Sequence, residues 1–242
     1  MSIETANNSA HVAVITGASQ GIGAGLVSAY RKLGYAVVAN SRTISESDDP
    51  MVLAVPGDIA QPGIGQRIID AAVDRFGRVD TVVNNAGIFI GKPFTEYTTE
   101  EFRDVMAVNV EGFFNITQPT LAQMVKQGTG HIVQITTTLV HQAIAGVPAA
   151  LALLSKGGLY AVTGGLAIEY AKTGVRVNAV APGIIKTPMH PQETHAMLDG
   201  MHPLGRMGEV SEVVDAIVYL EDAAFVTGQT INVDGGQHSG RW

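Results

Sequence analysis

A glycine-rich segment near the start of the chain has the composition of a phosphate-binding loop. Residues 16–23, TGASQGIG, follow a short apolar run and precede a stretch with helical spacing. Glycines let backbone N–H groups approach a pyrophosphate, and the start of a helix adds a partial positive charge. Three residues separate Gly17 from Gly21, so the spacing differs from the usual G-x-G-x-x-G fingerprint. We predict a dinucleotide site here; the alternative is a purely structural turn.

The end of the second apolar run favours one nicotinamide cofactor over the other. Its sequence is Asn40-Ser41-Arg42-Thr43, with no acidic residue. An acid at this place would bind the adenosine ribose hydroxyls and repel a 2′-phosphate. Arg42 can instead pair with that phosphate, and Ser41 can donate a further hydrogen bond. We predict NADP(H) as the preferred cofactor. In the alternative, NAD(H) is the cofactor and Arg42 is an ordinary solvated arginine.

Short apolar runs alternate with longer amphipathic runs along the chain. Runs typical of buried strands occupy residues 11–16, 35–40, 51–55, 79–84, 131–136, 175–180 and 230–233. Runs with helical spacing occupy residues 22–33, 64–76, 100–127 and 148–172. The alternation predicts a single α/β domain, residues 11–242, with a Rossmann-type doubly wound parallel sheet of seven strands and helices on both faces. We expect the polar residues 1–10 to form a flexible N-terminal segment.

Composition and charge exclude several classes of function. Hydrophobic residues make up 46% of the chain and charged residues 15%, which is typical of a compact globular protein. The absence of cysteine excludes disulfides and thiol catalysis, and the net charge of −7 argues against a nucleic-acid partner or an anionic membrane surface. No run of 18 uncharged apolar residues predicts a membrane helix. We expect a cytoplasmic protein with a small-molecule substrate. We also expect no metal site, because His190 and His195 lack the i, i+4 spacing of a metal-binding pair on a helix.

Ordered motifs over almost the whole chain resemble those of the short-chain dehydrogenase/reductase family. The loop T-G-x-x-x-G-I-G is similar to the family's cofactor loop, residues 84–87 to its N-N-A-G turn, and residues 232–236 to its C-terminal V-D-G-G turn. The resemblance implies an NAD(P)-dependent oxidoreductase that transfers hydride to or from a small molecule with a C=O or C=N bond. Together with the arguments above, it predicts cofactor contacts at Gly17, Ser19, Gln20, Gly21, Ile22, Gly23, Asn40, Ser41, Arg42, Asp58, Ile59, Asn85, Ala86, Gly87, Lys156, Pro182, Gly183, Ile185 and Thr187.

The resemblance also implies a proton relay, one member of which is missing. In this family a tyrosine four residues before a lysine exchanges the substrate proton, the lysine lowers the tyrosine pKa, and a serine polarises the carbonyl. Lys156 matches the lysine, and Asn109 matches the helix asparagine of the relay. Thr137 falls at the serine, with Thr138 as the alternative. The tyrosine position is Ala152, which has no ionisable proton.

Several side chains are candidates to replace the tyrosine or to orient the substrate. His141 follows the threonines and titrates near neutral pH, although a loop histidine is often merely solvated. Tyr160 lies four residues after Lys156 and could share its helix face, or it could serve packing alone. Residues 189–202 are expected to cover the pocket with a flexible apolar wall. His190 and His195 in that segment could orient the substrate or lie at the surface.

The missing tyrosine leaves three interpretations. A substitute such as His141, or a water held by Asn109 and Lys156, could supply the proton. Alternatively, the substrate needs no proton donor, as in the reduction of an iminium ion, which already carries its proton. Finally, the chain could bind cofactor without turnover, as a structural or regulatory protein. In this family the helices equivalent to the predicted helices at residues 100–127 and 148–172 pack between subunits. The resemblance therefore also implies a homotetramer or a homodimer.

Overall fold

Seven parallel strands form the centre of the computed structural model, which describes residues 10–240. The strands are β1 Val12–Thr16, β2 Ala36–Ser41, β3 Val52–Pro56, β4 Thr81–Asn84, β5 Gly130–Ile135, β6 Val175–Pro182 and β7 Thr230–Val233. Their order in the sheet is β3-β2-β1-β4-β5-β6-β7, so the direction of winding reverses between β1 and β4. This order confirms the predicted Rossmann-type sheet. Residues 1–9 of the predicted flexible segment lie outside the described residues.

Helices cover both faces of the sheet, as predicted. They are α1 Gly21–Lys32, α2 Ile64–Phe76, α3 Thr99–Met106, α4 Gly112–Gln127, α5 Ala150–Tyr170, α6 His195–Asp199 and α7 Val210–Asp222. Side chains alternate between the faces along each strand. In β1, Val12 and Val14 pack in the apolar layer under α2, α4 and α5, whereas Ala13 and Ile15 pack in the layer under α1 and α7. A central strand such as β1, in which every residue is buried, is therefore covered on two sides, which explains why it is a continuous apolar run.

Two helical regions differ from the sequence prediction. Residues 100–127 form not one helix but α3 and α4, which are separated by the π-helical turn Ala107–Glu111. The helical periodicity continues through this turn, so the apolar pattern does not reveal it. The helix α7 was not predicted, although its buried residues have helical spacing. Those residues are Val213, Val214, Ile217 and Leu220.

One helix is long and apolar enough to cross a membrane by length and composition alone. It is the stretch Ala150–Thr173, which includes α5 and the turn after it, with a mean hydropathy of 1.4 in its most apolar window. The buried residues of α5 include Ala152, Lys156 and Ala167, and Ala167 packs in the apolar layer of the sheet. The buried side of α5 thus belongs to the core of the α/β domain, and 39% of the apolar window is buried.

A buried polar cluster joins the sheet to the helices α1 and α7. The Glu221 carboxylate accepts hydrogen bonds from Tyr30 Oη at 2.9 Å, Thr81 Oγ1 at 2.6 Å and His131 Nδ1 at 3.2 Å. The Nε2 atom of His131 lies 3.2 Å from the side-chain nitrogen of Asn178, which can only donate. His131 is therefore neutral, with its proton on Nδ1. Burial lowers the pKa of His131, which agrees with this assignment.

Candidate active site

A single cavity of about 690 Å³ lies at the carboxyl ends of the strands, across the point where the winding reverses. Open α/β sheets bind their ligands at this place. The cavity brings together every residue predicted to contact the cofactor except Gly23. Gly23 instead packs so closely against the loop that a Cβ atom there would clash with the carbonyl oxygen of Gly17.

The phosphate end of the cavity is formed by the loop between β1 and α1. Gly17 and Gly21 adopt φ values of 65° and 55°, a left-handed conformation that favours glycine. The first turn of α1 contains no acidic residue, and the side chain of its N-cap residue Gln20 makes no capping hydrogen bond. The free N–H groups at this helix start can therefore bind an anionic group.

Hydrogen bonds from Asn85 and Thr16 hold the phosphate loop against the turn after β4. Asn85 Nδ2 donates to the carbonyl oxygens of Thr16 and Gly17, at 2.9 and 3.2 Å. Thr16 Oγ1 in turn accepts from the backbone N–H groups of Asn85 and Ala86, at 3.1 and 3.0 Å. Asn85 thus positions the loop with its side chain, while the backbone of the turn lines the cavity. The sequence motif included Thr16 but did not reveal this role.

At the end of β2, where the adenosine part of a cofactor would lie, some polar side chains are bonded within the protein and others are free to bind a ligand. Asn40 is buried and donates to the carbonyl oxygens of Val55 and Gly57, so its side chain is committed to the sheet. Ser41 Oγ accepts a bond from the backbone of Thr43 and keeps its own proton. Arg42 is exposed, and within residues 10–240 its guanidinium has no hydrogen-bond or ion-pair partner. It is therefore free to pair with a phosphate.

Lys156 lies on the buried face of α5 and lines the cavity. Its Nζ atom donates to the carbonyl oxygen of Ile135 at 2.7 Å. It also lies close to the turn after β4, since a Cβ atom on Gly87 would be 3.1 Å from Nζ. Burial lowers the pKa of Lys156 to about 8. The ammonium group retains further N–H bonds for a ligand.

Asn109 lies in the π-helical turn and does not line the cavity. Its Oδ1 atom accepts from the backbone N–H of Ile88 at 2.9 Å. Its Nδ2 atom donates to the carbonyl oxygen of Ile88 at 3.1 Å and to Ser155 Oγ at 3.0 Å. The side chain thus fixes the cavity wall at Ile88 against α5.

The hydroxyl groups of Thr137 and Thr138 have opposite polarity, and both residues line the cavity. Thr137 Oγ1 accepts a hydrogen bond from the backbone of Leu139 at 3.3 Å, so its own proton remains available for a ligand. Thr138 Oγ1 donates its proton to the Asp234 carboxylate at 2.5 Å. Of the two threonines, Thr137 is the one that can donate to a substrate oxygen.

No tyrosine lines the cavity within the described part of the chain. The residue one helical turn before Lys156 is Ala152, whose methyl group lines the wall. The titratable side chains among the lining residues are Arg42, Asp58, Lys156 and His190.

Both predicted substitutes for the tyrosine lie outside the cavity lining. The rings of His141 and Tyr160 pack edge to face, with centroids 4.8 Å apart. Burial and the neighbouring His238 lower the pKa of His141. At neutral pH, a smaller fraction of His141 than of a solvated histidine therefore carries the proton that a general acid would donate.

The segment that covers the cavity contributes one histidine and several apolar side chains. His190 lines the cavity, and its Nδ1 donates to the carbonyl oxygen of Ile185 at 2.9 Å. This bond leaves a lone pair on Nε2, and burial lowers the pKa of His190, so the neutral ring can accept but not donate. His195 does not line the cavity. Apolar lining residues of this segment are Met189, Leu198 and Met201.

The buried side chain of His202 was not singled out in the sequence. Its Nε2 accepts a hydrogen bond from the backbone N–H of Ile184 at 3.0 Å, next to the Pro182-Gly183 turn that lines the cavity.

Within the described residues, no group of three or more histidine or acidic side chains is arranged to hold a metal ion.

Known proteins match the chain over nearly its full length. The family model described as enoyl-(acyl carrier protein) reductase matches residues 17–238. A 3-oxoacyl-[acyl-carrier-protein] reductase of Thermotoga maritima is 33% identical over 240 residues, which cover 93% of this chain and 96% of that protein. An uncharacterized oxidoreductase of Methylorubrum extorquens is 34% identical over 243 residues, covering 93% and 96%.

Solved structures show the same fold with bound nicotinamide cofactors. The structure of ElxO with NADP bound has a TM-score of 0.88 and 29% identity, covering 96% of this chain and 100% of that one. A 3-ketoacyl-(acyl-carrier-protein) reductase of Brucella melitensis, complexed with NADH, has a TM-score of 0.86 and 30% identity, covering 94% and 98%. The chain belongs to the short-chain dehydrogenase/reductase family and is an NAD(P)-dependent oxidoreductase.

Proposed function

We propose that the protein is an NADP(H)-dependent reductase of small molecules, that Ala152 stands where the family has its tyrosine, and that a C=N bond is the preferred substrate group. The observation that carries the proposal is the alanine one helical turn before Lys156, in a cavity lined by no tyrosine among the described residues. Without the tyrosine, the site lacks the group that would protonate a carbonyl oxygen.

The adenosine end of the cavity supports NADP(H). Arg42 is free to form charge-assisted hydrogen bonds with a 2′-phosphate, and Ser41 retains a proton for the same group. Asp58, the acidic residue at this end, accepts a hydrogen bond from the backbone N–H of Ala60 at 3.0 Å. The ribose hydroxyls therefore have no strong acceptor at the end of β2, which disfavours NAD(H).

The nicotinamide end positions the reacting groups. Bound NADPH would supply the hydride. Lys156 is directed at the turn after β4 and would donate its free N–H bonds to the nicotinamide ribose. The Pro182–Ile185 segment, fixed by the hydrogen bond from Ile184 to His202, would support the nicotinamide ring. Holding the nicotinamide and the substrate in the geometry for hydride transfer can contribute much of a rate enhancement without any acid catalyst.

A C=N substrate fits this site better than a C=O substrate. Hydride addition to a carbonyl leaves a negative oxygen that must take up a proton. An iminium nitrogen is already protonated, and hydride addition merely turns its C=N pair into a lone pair. Neither His141 nor Tyr160 lines the cavity, and His190 presents a lone pair. Alanine lacks the hydroxyphenyl ring of a tyrosine, which leaves room beside Ala152 for a ring of the substrate.

The substrate end of the cavity selects a mainly apolar molecule. Its wall includes the apolar side chains of Phe89 and Ile144, and Met201 from the covering segment. Apolar walls of this kind bind the hydrocarbon part of a ligand, while a few polar groups fix its orientation. We therefore propose a small cyclic imine with a hydrocarbon substituent as the substrate class.

A substrate panel tests the proposal. Purified protein is mixed with NADPH or NADH and with matched cyclic imines and cyclic ketones, and the absorbance of the reduced nicotinamide is followed. We expect oxidation of NADPH by imines to be faster than by ketones, and NADPH to be preferred over NADH. Tight NADPH binding without oxidation by any imine or ketone, and without reduction of NADP+ by any alcohol, would instead support a structural or regulatory role.

Exposed apolar side chains on α4 and α5 support self-association. Phe114, Leu154 and Ile168 are 56%, 56% and 81% exposed. Side chains of this kind are enriched at contacts between subunits. We propose a homotetramer, with a homodimer as the alternative. Light scattering of the purified protein would distinguish both from a monomer.

A further inference from the structure

The buried carboxylate of Asp234 lies directly behind the wall of the proposed substrate site. Asp234 follows β7 and is 6% exposed. Its Oδ2 atom accepts from Thr138 Oγ1 at 2.5 Å, from His238 Nδ1 at 2.6 Å and from the His238 backbone at 3.0 Å, and Oδ1 accepts from the Gly236 backbone at 3.0 Å. Burial raises the pKa of Asp234, but the bonds from Thr138 and His238 outweigh it and lower the pKa. The carboxylate is therefore anionic at neutral pH.

This arrangement fixes the polarity of the Thr138 hydroxyl. A hydroxyl has one proton and two acceptor lone pairs, and the proton of Thr138 is committed to Asp234. Towards a ligand, Thr138 can therefore only accept a hydrogen bond. The adjacent anion polarises the O–H bond and makes the oxygen a stronger acceptor, since hydrogen bonds in a chain reinforce one another. Thr137, the next residue in the wall, keeps its proton and can donate.

The charges around the cavity give this acceptor a chemical preference. Arg42 and Asp58 lie at the adenosine end, and Lys156 is directed at the turn after β4. The anion behind the two threonines is Asp234, whose carboxylate is bonded to the hydroxyl of Thr138. A ligand N–H that carries positive charge would gain from both the lone pair of Thr138 and the field of Asp234. A neutral carbonyl or ether oxygen would have no proton to offer.

We propose that Thr138, backed by Asp234, is the specificity-determining acceptor for the N–H of a cationic substrate or product, such as an iminium ion or the amine formed from it. This inference rests on the proposed function, since it names the group that recognises the substrate nitrogen. Asp234 acts through Thr138 and is a positioning residue. His238 Nδ1 donates to the same oxygen of Asp234 that accepts from Thr138, and it helps to fix the carboxylate next to the hydroxyl.

The first test is a binding measurement that needs no turnover. Calorimetry on the NADPH complex compares 2-methylpyrrolidine, a cation at neutral pH, with its neutral ether analogue 2-methyltetrahydrofuran. We expect the wild type to prefer the amine. Thr138→Val, which removes the lone pairs at nearly constant volume, should reduce this preference about tenfold, whereas Thr138→Ser should retain it. Asp234→Asn should reduce it in the same direction.

Controls separate recognition from general damage. Thr120→Val removes another buried hydroxyl, one that bonds to Ile116 within α4, and should leave the preference unchanged. NADPH affinity is measured for every variant, so a variant that fails to fold is recognised. If Asp234→Asn does not fold, the comparison of Thr138→Val with Thr138→Ser tests the inference by itself. Equal amine preference in the wild type and Thr138→Val would overturn the inference.

The same variants distinguish this inference from the proposed function. If the wild type reduces imines and Thr138→Val does so with an unchanged KM, the inference fails while the function stands. If no imine is reduced but the amine preference depends on Thr138, the function fails and the recognition of a cationic N–H stands. If both hold, Thr138→Val should raise the KM for imines about tenfold with a smaller effect on ketones.

Discussion

Ala152 precedes Lys156 by one turn of α5, and both side chains line the same cavity. Residues at this spacing lie on one helix face, so a tyrosine at position 152 would place its phenol beside the Lys156 ammonium. With alanine at position 152 that volume stays open, and among the described residues no tyrosine lines the cavity beside Lys156. The chemistry available to the protein follows from this pair.

Restoring the phenol should therefore create carbonyl reduction. In Ala152→Tyr, we expect kcat/KM for ketones to rise about 10²-fold or more, because a positioned general acid contributes that much. Ala152→Phe is the matched control, since it fills the same volume without a proton. A gain in both variants would mean that packing, and not proton donation, limits the wild type. A gain in neither would show that the remaining site cannot use a tyrosine.

Lys156 should make cofactor affinity depend on pH. Its pKa is lowered to about 8 by burial, so the ammonium form is lost as the pH rises through that value. We expect NADPH binding, measured by fluorescence, to weaken above about pH 8 in the wild type. In Lys156→Met, binding should be weaker and should not change over the same range. An identical pH profile for the two proteins would exclude Lys156 as the titrating group.

The same lysine should affect stability in the opposite direction. Between pH 8 and its ordinary pKa of 10.5, Lys156 is protonated in the unfolded chain and neutral in the folded one. The unfolded state binds more protons, so stability rises with pH in this window. Relative to Lys156→Met, the wild type should gain free energy of unfolding from pH 8 to pH 10.5 in urea titrations. A constant difference would contradict the burial of a free amine.

Arg42 should decide between the two nicotinamide cofactors. We expect Arg42→Ala to weaken NADPH binding by about 1.5–3 kcal/mol, roughly ten- to a hundredfold, because a charge-assisted pair with the 2′-phosphate is lost. NADH binding should change little. Arg75→Ala removes a similar charge from the end of α2 and serves as the control. Equal weakening of NADPH and NADH would show that Arg42 contacts something other than the 2′-phosphate.

The buried cluster around Glu221 should make the fold sensitive to acid. The pKa of His131 is lowered from its ordinary value of 6.5, so below that pH the unfolded chain takes up a proton that the folded chain resists. Stability that is present above pH 6.5 is then lost as the pH falls. His131→Gln, which cannot titrate, should lose less stability than the wild type between about pH 7 and about pH 5. Parallel losses would argue that His131 is protonated in the fold.

Much of the fold was predictable because its signals are local. The strand Val12–Thr16 and the helix Ile64–Phe76 fall where the sequence predicts them, since a buried parallel strand is a continuous apolar run and a glycine ends the helix. The π-helical turn at Asn109 was not predictable, because it spans only 5 residues, which are too few to show a period of their own in the apolar pattern.

The site was predictable in its members but not in its hydrogen bonds. The glycine loop and Arg42 were identified from short motifs and line the cavity together. The bond between Thr138 and Asp234 joins residues 96 positions apart, and no local pattern encodes it. The packing of His141 against Tyr160, which keeps both rings out of the cavity lining, is likewise a tertiary contact.

The most direct measurement is the steady-state rate of NADPH oxidation by the wild-type protein with a cyclic imine and with a ketone of the same ring size. The site without a tyrosine predicts a higher kcat/KM for the imine, and a reversal of this order in Ala152→Tyr but not in Ala152→Phe. Equal or faster turnover of the ketone by the wild type would contradict the account.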